Sequence, residues 1–585
     1  MYRLEGGKHF PNHLLDPVGP AALPRCSALL AVLVLLCLAM RAWMASQWHI
    51  VWSDAVDYIH IGQYLERGDL QPLLSQFGAN IYPLLLVLLH AAGLSWEWAG
   101  PLWGLTVASL TVLPLFGWVR RQFDDRVALL ACLLYAIHPK LMILSPQGIR
   151  DSTFWFLLVL TLYLGWRAVR EVKPWLFAVT GLAWALAVHT RTEGLLLVFP
   201  VGLWWAIRWP AVPGQRRRLL LGGLLGLAML PAWIVLMNLT LLRSQPHWVW
   251  LRSDHVETLQ TALSLSAPPG VTVALSSSGE APPHAILLGK PGTTPGAIVA
   301  PHPSSSNPAL DKPVVMPRLP RLINPIPLPA RVAASKTAVR LMKSFTYLYG
   351  LLVLAGLGLG WRVFLHCDQQ AMFLFHVPLW LLIWLRQVQG LGIDIRYTLP
   401  CVIIALPYAA LALQAILDLL CWWTAARVPW TPARRAALAG ALLAAILCAG
   451  TTERSREPFQ FMVQHADLGK WILARFGPQR RLAGHLMEMR LVAYYAHGEA
   501  VPNYDYYEYA GEALLQTIRD CRPDVLLLWS EPLEPVHPPT WRRLLDAHAE
   551  LGLCRVPAAQ LPPSCQKAEG LVIAVRRDLL SPAPP

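Results

Sequence analysis

The sequence predicts a mainly α-helical, polytopic membrane protein that ends in a small α/β domain. Of its 585 residues, 55% are hydrophobic and only 14% are charged, and long apolar stretches recur from Ser27 to about Gly450. This composition disfavours a soluble multidomain protein. After about Pro458 the pattern changes to short apolar, strand-like segments that alternate with helical ones.

The apolar stretches predict about eleven transmembrane helices, because a helix needs about 20 apolar residues to cross the hydrocarbon core. A further stretch, Ile81 to Leu94, is shorter and carries a histidine. We predict that it is interfacial or re-entrant. The eleven predicted spans are Ser27–Ala45, Gly100–Trp118, Val127–Ile143, Thr153–Val169, Trp175–Thr190, Gly194–Ile207, Leu219–Met237, Ser344–Gly360, Ala371–Leu385, Tyr397–Leu419 and Ala436–Gly450.

The short basic connectors predict the orientation of these spans. If Ile81 to Leu94 does not cross the membrane, the connectors that hold Arg120, Arg167, Arg216 and Arg427 all lie on one side. The positive-inside rule makes that side cytoplasmic. Counting the stretch as a span would place nearly every short basic loop outside.

Three regions follow from this topology. Residues 1–26 form a cytoplasmic N-terminal segment, residues 27–451 form the transmembrane domain, and residues 452–585 form an extracytoplasmic α/β domain. Within the second region, the Pro/Ser/Gly-rich residues 244–343 are expected to form a partly disordered extracytoplasmic loop with a short helix or two.

Charge and cysteine usage disfavour two classes of function. The net charge of +14 arises from arginines in short connectors, so nucleic-acid binding is not predicted. The ten cysteines stand singly, without the spacing of a metal site. Cys554 and Cys565 could form a disulfide in an oxidising compartment or remain two free thiols.

Ionisable residues gather on the predicted outer face. A helix over the first external loop puts Asp54 and Tyr58 on one stripe and Asp57 and His60 on another. Held in a low-dielectric pocket, the Asp54 carboxylate would suit removal of a proton from a hydroxyl. The alternative is that Asp54 only stabilises the start of the helix.

The other candidates stand at the ends of predicted spans. Arg191 and Glu193 interrupt apolar sequence, where ionisable groups are costly and point to function. The remaining pairs also have a structural explanation, since acids favour helix starts and arginines snorkel. Guanidinium groups suit a phosphate and a neighbouring carboxylate suits a hydroxyl, so a lipid-linked phosphosugar fits this face. The full set is Asp54, Tyr58, Arg150, Asp151, Arg191, Glu193, Asp394 and Arg396.

The order of the motifs carries a family resemblance. It comprises the Asp54-x-x-x-Tyr58 helix closing with LERGDL, then YPLL, WVRRQFDDRVALLACLLYAIHP, the Arg150–Asp151 pair, TRTEGLLLVFP and RYTLP. Together they resemble the GT-C membrane glycosyltransferases. The similarity is greatest to bacterial relatives of the protein O-mannosyltransferases and of the lipid A aminoarabinose transferase, which are glycosyltransferase family 39-like. It covers about residues 52–200, then RYTLP, and weakly the C-terminal domain.

The resemblance implies a reaction and a place for it. A hexose or pentose would move, with inversion, from a polyprenyl-phosphate donor to a hydroxyl of a glycan, lipid or protein. The reaction would occur on the extracytoplasmic face of the bacterial inner (plasma) membrane, among membrane lipids, and would serve the cell envelope. The DxD pattern of metal-dependent relatives is missing, so no obligatory cofactor is expected and a divalent cation is not indicated.

The resemblance also implies roles for individual residues. Asp54 and Asp151 match the family's two loop acids and are the expected catalytic residues. Arg191 and Arg396 are the expected ligands of the lipid phosphate. Tyr82 stands where the aminoarabinose transferases carry a lysine, so the donor chemistry is expected to differ from theirs.

Three other functions are compatible with parts of the sequence. A transporter would place its charges near the midplane and pair broken helices in two halves, whereas these charges lie at one predicted face. A polysaccharide polymerase or ligase would differ in using a lipid-linked glycan as acceptor. A non-catalytic scaffold would have the C-terminal domain as its working part.

Overall fold

The chain separates into two compact units in a computed structural model. Unit 1 comprises Met1–Val256 and Pro327–Gln460, and unit 2 comprises Glu257–Ile326 and Phe461–Pro585. The structure describes residues 23–47, 51–70, 73, 80–243, 329–361, 370, 373–388, 394–424, 431–452, 457–484, 489–500, 519–529, 548–549, 551–566 and 571–580. The N-terminal segment 1–22, most of the predicted loop 244–343, and most of the helical patterns over 513–521 and 540–551 lie outside the described residues.

Unit 1 is helical. Short 3₁₀ turns separate successive helices at Ser145–Gln147, Thr192–Leu197 and Ile395–Tyr397. In chain order the helices are α1 (Leu23–Ser46), α2 (Ser53–Glu66), α3 (Ile81–Ala91), α4 (Trp96–Leu110), α5 (Val112–Gln122), α6 (Asp125–Ile137), α7 (Pro139–Leu144), α8 (Asp151–Glu171), α9 (Pro174–Thr190), α10 (Val198–Ala211), α11 (Arg216–Leu239), α12 (Ala330–Ser344), α13 (Leu348–Leu359), α14 (His376–Val388), α15 (Leu399–Thr424) and α16 (Pro432–Thr452).

The lengths and composition of these helices make the chain an integral membrane protein. Within the described residues, six helices are long and apolar enough to cross a membrane, or eight if each of two bent pairs is one span. Shorter apolar helices include α3, whose 11 residues extend only about 16 Å, roughly half the hydrocarbon thickness. The predicted membrane fold is confirmed, and the count of eleven spans is not.

Close helix packing in unit 1 depends on glycine. A Cβ atom at Gly181 of α9 would lie 2.1 Å from the carbonyl oxygen of Gly226 in α11. The backbones of α9 and α11 therefore touch, as small residues permit in membrane helices. Gly202 of α10 faces open space instead, since no heavy atom lies within 4 Å of its added Cβ.

The predicted span Val127–Ile143 is broken by a 55° bend between α6 and α7. Pro139 has no N–H to donate to the carbonyl of Tyr135, one turn earlier. The fully buried Arg41 of α1 supplies replacements, because its Nη2 donates to Tyr135 O at 3.5 Å and its Nη1 to Ala136 O at 3.4 Å. Its Nε donates to Ser145 Oγ at 3.1 Å, which ties α1 to the turn that precedes α8.

The predicted span Ser344–Gly360 begins at a sharp corner and is helical only from Leu348. Helix α12 ends at Ser344, and α13 starts at Leu348 after a 95° bend. Thr346 and Tyr347 adopt positive φ angles of 50° and 52°, which non-glycine residues rarely do. The buried Ser344 hydroxyl hydrogen-bonds the Thr398 hydroxyl, so a tertiary contact holds the corner in place of a glycine or proline.

Unit 2 contains the predicted small α/β domain. Its described helices are α17 (Glu457–Phe476), α18 (Met489–Tyr495), α19 (Pro563–Gln566) and α20 (Arg577–Leu580). Its strands β1 (Arg481–Gly484), β2 (Glu499–Ala500), β3 (Val525–Trp529), β4 (Leu553–Arg555) and β5 (Leu571–Arg576) form a mixed sheet in the order β2-β1-β3-β5-β4. Strand β3 is parallel to β1 and antiparallel to β5. Cys554 and Cys565 are free thiols.

Substitution of Gly181 by alanine should destabilise unit 1 by about 1–3 kcal/mol, because the added methyl group meets the backbone of α11. The matched control is Gly202→Ala, which adds the same methyl group in open space and should be neutral or slightly stabilising. Thermal unfolding midpoints of the purified proteins in detergent measure both effects. Equal midpoints for the two variants would contradict the close contact.

Candidate functional site

One ion pair joins the first loop of the chain to a residue 342 positions later. The Asp54 carboxylate, in the first turn of α2, accepts a hydrogen bond from Nη1 of Arg396. Helix α2 is anchored by its apolar face, which buries Val56 and Ile59 among others. Arg396 stands in the turn Ile395–Tyr397, which the Asp394 side chain caps by accepting from the Arg396 N–H at 3.2 Å.

The first pair remains open to solvent. The side chains of Asp54 and Arg396 expose 34% and 19% of their surface. The predicted apolar pocket around Asp54 is therefore not seen, since the carboxylate is partly exposed and lies against a guanidinium. Burial alone would lower the pKa of Arg396, but Asp54 and, more weakly, Asp151 hold it above its ordinary value. Arg396 thus stays charged and available to an anion.

A second ion-pair network is buried. Arg191 Nη1 donates to the Asp151 carboxylate, and Arg191 Nη2 donates to Glu193 Oε1 at 2.9 Å. The exposed fractions are 4% for Arg191, 2% for Asp151 and 13% for Glu193. The network joins the end of α9 to the start of α8. Because one guanidinium serves two carboxylates, these charges are compensated away from water.

A tight turn brings the two networks together. Gly148 adopts φ +69°, a left-handed conformation that glycine accepts without strain. An added Cβ at Gly148 would lie 3.3 Å from the Cβ of Ala55, next to Asp54 in α2. The turn that leads into Asp151 is thus packed directly against the helix that carries Asp54.

The Tyr397 ring is the common contact of three arginines. The guanidinium carbons of Arg191, Arg386 and Arg396 lie 4.6, 5.3 and 5.7 Å from the ring centroid, within the range of cation–π attraction. Arg191 and Arg396 each pair with carboxylates. Within the described part of the chain, Arg386 forms no ion pair, so it adds positive charge that an anion can neutralise.

A pair of buried tyrosines lines the adjoining part of the site. The ring of Tyr58 meets that of Tyr82 edge to face at 5.0 Å, and the Arg150 guanidinium lies 6.0 Å from the centre of the Tyr58 ring. Burial raises the pKa of both tyrosines, so both remain neutral phenols. The Tyr82 hydroxyl is buried without a hydrogen-bond partner in the described structure.

The structure thus places six of the eight predicted site residues in the two ion-pair networks of unit 1, and the other two, Tyr58 and Arg150, contact each other. Sequence reasoning missed Arg386 and Tyr397 as site residues. Arg386 directly follows the predicted span Ala371–Leu385, and Tyr397 stands in the quoted RYTLP motif, so both had a signal. Within the described residues, no group of three or more His, Cys, Asp or Glu side chains could hold a metal ion.

Comparison with known proteins identifies this arrangement of helices. Residues 81–236 match the sequence profile of the dolichyl-phosphate-mannose-protein mannosyltransferases. The chain is similar to ArnT from Cupriavidus metallidurans bound to undecaprenyl phosphate, with a TM-score of 0.53 at 12% identity over 96% of this chain and 100% of that one. The chain has the GT-C glycosyltransferase fold. The apo state of the same ArnT gives a TM-score of 0.51 with the same identity and coverage.

The remaining comparisons show less similarity. The oligosaccharyltransferase of Archaeoglobus fulgidus in the apo form gives a TM-score of 0.48 at 13% identity, over 86% of this chain and 70% of that chain. No curated protein is significantly similar to the chain in sequence. The similarity to ArnT confirms the GT-C resemblance of the sequence at the level of the fold.

Replacement of Arg191 by methionine should destabilise the GT-C domain by about 3–5 kcal/mol, because Asp151 and Glu193 would remain buried without a counter-charge. The matched control is Arg396→Met, which leaves a carboxylate that water can reach. Thermal unfolding in detergent should therefore show a clearly larger loss for the Arg191 variant. Equal losses would contradict the different burial of the two pairs.

Proposed function

We propose that the chain is a glycosyltransferase that moves a sugar, with inversion, from a polyprenyl-phosphate donor to an acceptor hydroxyl on the extracytoplasmic face of a bacterial inner membrane. The observation that carries this proposal is a solvent-accessible carboxylate, Asp54, beside arginines that can bind a phosphate. A base next to an anion site is the combination that such a transfer requires.

The proposed reaction assigns a separate task to each accessible group. Asp54 accepts the proton of the acceptor hydroxyl as its oxygen attacks the anomeric carbon. The bond between that carbon and the phosphate oxygen breaks, and the polyprenyl phosphate leaves with the electron pair. Arg396 and Arg386 stabilise the negative charge that develops on the leaving phosphate.

The ion pair of Asp54 with Arg396 supports a link between donor binding and activation of the base. A phosphate that binds the Arg396 guanidinium competes with the carboxylate for the same donor groups. Donor binding would thereby release Asp54 toward the acceptor hydroxyl. The free carboxylate then appears only when the donor is present.

Asp151 is proposed to position the site, with no direct part in the chemistry. Its side chain exposes 2% of its surface and is paired with Arg191. A carboxylate so enclosed is poorly placed to meet a substrate hydroxyl. It instead fixes Arg191, whose guanidinium faces the Tyr397 ring.

Relatives support the donor class. ArnT, which shares the fold, was solved with undecaprenyl phosphate bound, and the family matched by residues 81–236 is described as dolichyl-phosphate-mannose-dependent. Both descriptions name a polyprenyl-type lipid phosphate. The proposed acceptors are envelope glycans, lipids or proteins, and mass spectrometry of the envelope with and without the gene would identify the product.

Asp54→Asn should lower transfer of a labelled sugar from polyprenyl phosphate by about 10²–10⁴-fold, the usual contribution of a general base. Asp57→Asn is the matched control, because it removes the same charge from the same helix. A panel of polyprenyl-phosphate hexoses and pentoses supplies the donor. Wild-type transfer by the Asp54 variant, with normal membrane insertion, would exclude the proposed base.

Cysteine labelling tests the proposed sidedness. Exposed positions near the site, Arg67→Cys and Asp394→Cys, should react in intact cells with an impermeant maleimide, as should Glu499→Cys in unit 2. Arg217→Cys, in a connector predicted to be cytoplasmic, should react only after lysis. The unsubstituted chain gives the background. Labelling of positions 67 and 394 on opposite sides would overturn the proposal.

A further inference from the structure

Helix α12 carries an unusual density of positive charge. Arg331, Lys336, Arg340 and Lys343 fall within its 15 residues, and the helix has no acidic residue. All four side chains are exposed. In the described part of the chain, none of them forms an ion pair. Their charge is therefore available to a partner outside the protein.

The exposed face of α12 also carries apolar side chains. Val332 and Val339 lie two helical turns apart and expose 37% and 47% of their surface. Lys336 lies four residues after Val332, and Lys343 lies four residues after Val339. Both lysines therefore share a face with the valines. The opposite face buries Ala333 and Thr337 against the protein. An apolar strip edged with lysine and arginine is typical of helices that lie in a membrane interface.

The direction of α12 agrees with such a location. It meets α13 at 95°, and α13 consists of apolar residues and glycine apart from one tyrosine. Leu351, Leu354 and Leu359 of α13 are exposed, which indicates contact with lipid. A helix perpendicular to a membrane-embedded one runs close to the plane of the bilayer.

Two contacts hold α12 beside the candidate site. The indole Nε1 of Trp384 in α14 donates to the Ala330 carbonyl at 3.1 Å, and Ser344 hydrogen-bonds Thr398 just after Tyr397. The inner face is thus occupied by the helix and the turn that carry Arg386 and Arg396. Among the residues that the structure describes, the outer face with its valines and lysines is the one left for a partner.

We propose that the outer face of α12 binds the headgroups of anionic phospholipids in the surrounding bilayer. The lysines and arginines would pair with lipid phosphates while Val332 and Val339 enter the boundary between headgroups and acyl chains. The charge and the apolar strip together favour a membrane surface, since a soluble anion would have no use for the valines. This inference does not depend on the proposed transfer reaction.

Native mass spectrometry of the full-length protein in detergent tests lipid retention directly. The probes are phosphatidylglycerol, which is anionic, and phosphatidylethanolamine, which is zwitterionic. The wild type should retain phosphatidylglycerol preferentially. The triple variant Lys336→Gln, Arg340→Gln, Lys343→Gln should lose about tenfold or more of that preference, because each basic group near a charged bilayer contributes several-fold.

A matched control removes the same charge from unit 2. The triple variant Lys470→Gln, Arg475→Gln, Arg555→Gln changes three exposed basic residues that lie outside the membrane domain. It should keep the wild-type lipid preference. An equal loss in both triple variants, or none in the α12 variant, would overturn the proposal.

A depth measurement on the otherwise unchanged chain gives a second readout that does not depend on the stability of the triple variant. A spin label at Val339→Cys, in vesicles with phosphatidylglycerol, should be more accessible to membrane-soluble oxygen than to a water-soluble nickel chelate. A label at Arg217→Cys, which is exposed in the first turn of α11, gives the aqueous reference. Equal accessibility at the two positions would also overturn the proposal.

Discussion

The buried pairing of Arg191 with Asp151 and Glu193 is the interaction on which the site depends. Removing a guanidinium from water costs several kcal/mol unless carboxylates and hydrogen bonds replace the lost hydration. Arg191 meets this requirement with two carboxylates and with the face of Tyr397. The start of α8, the end of α9 and the turn before α15 are therefore held in one arrangement, since separating them would leave a charge unpaired in an apolar region.

The pair Asp54–Arg396 is built from the same chemical groups but has the opposite character. Both side chains are partly exposed, so this pair is less enclosed than the Arg191 network. The candidate site thus combines a buried ion-pair network with a partly exposed ion pair. The Tyr397 ring contacts arginines of both. For the proposed transfer, this combination would preorganise the positive charge and leave the carboxylate accessible to a substrate.

The sequence singled out charged residues that the structure brings close together, but it did not predict their partners. Charges in apolar sequence are costly, so Arg191 and Glu193 stood out, and the motif order indicated Asp54, Asp151 and Arg396. The pairing of Asp54 with a residue 342 positions away depends on tertiary packing that no local pattern encodes. The corner at Thr346 and Tyr347 was missed because neither glycine nor proline marks it. Arg386 was missed as a site residue because an arginine at the end of a span is readily explained by snorkelling of its side chain.

The contacts of Arg41 have a consequence for biogenesis. A charged residue raises the free energy of inserting an apolar helix, by about 2.5–3.5 kcal/mol at the helix centre. Two of the carbonyl groups that accept from Arg41 belong to α6, as far as 95 residues further along the chain, and a third is that of Cys37 in α1 itself. During synthesis α1 therefore leaves the ribosome before the α6 carbonyl groups that Arg41 contacts exist. The complete set of Arg41 hydrogen bonds forms only after α6 has been translated, which gives these two helices an order of assembly.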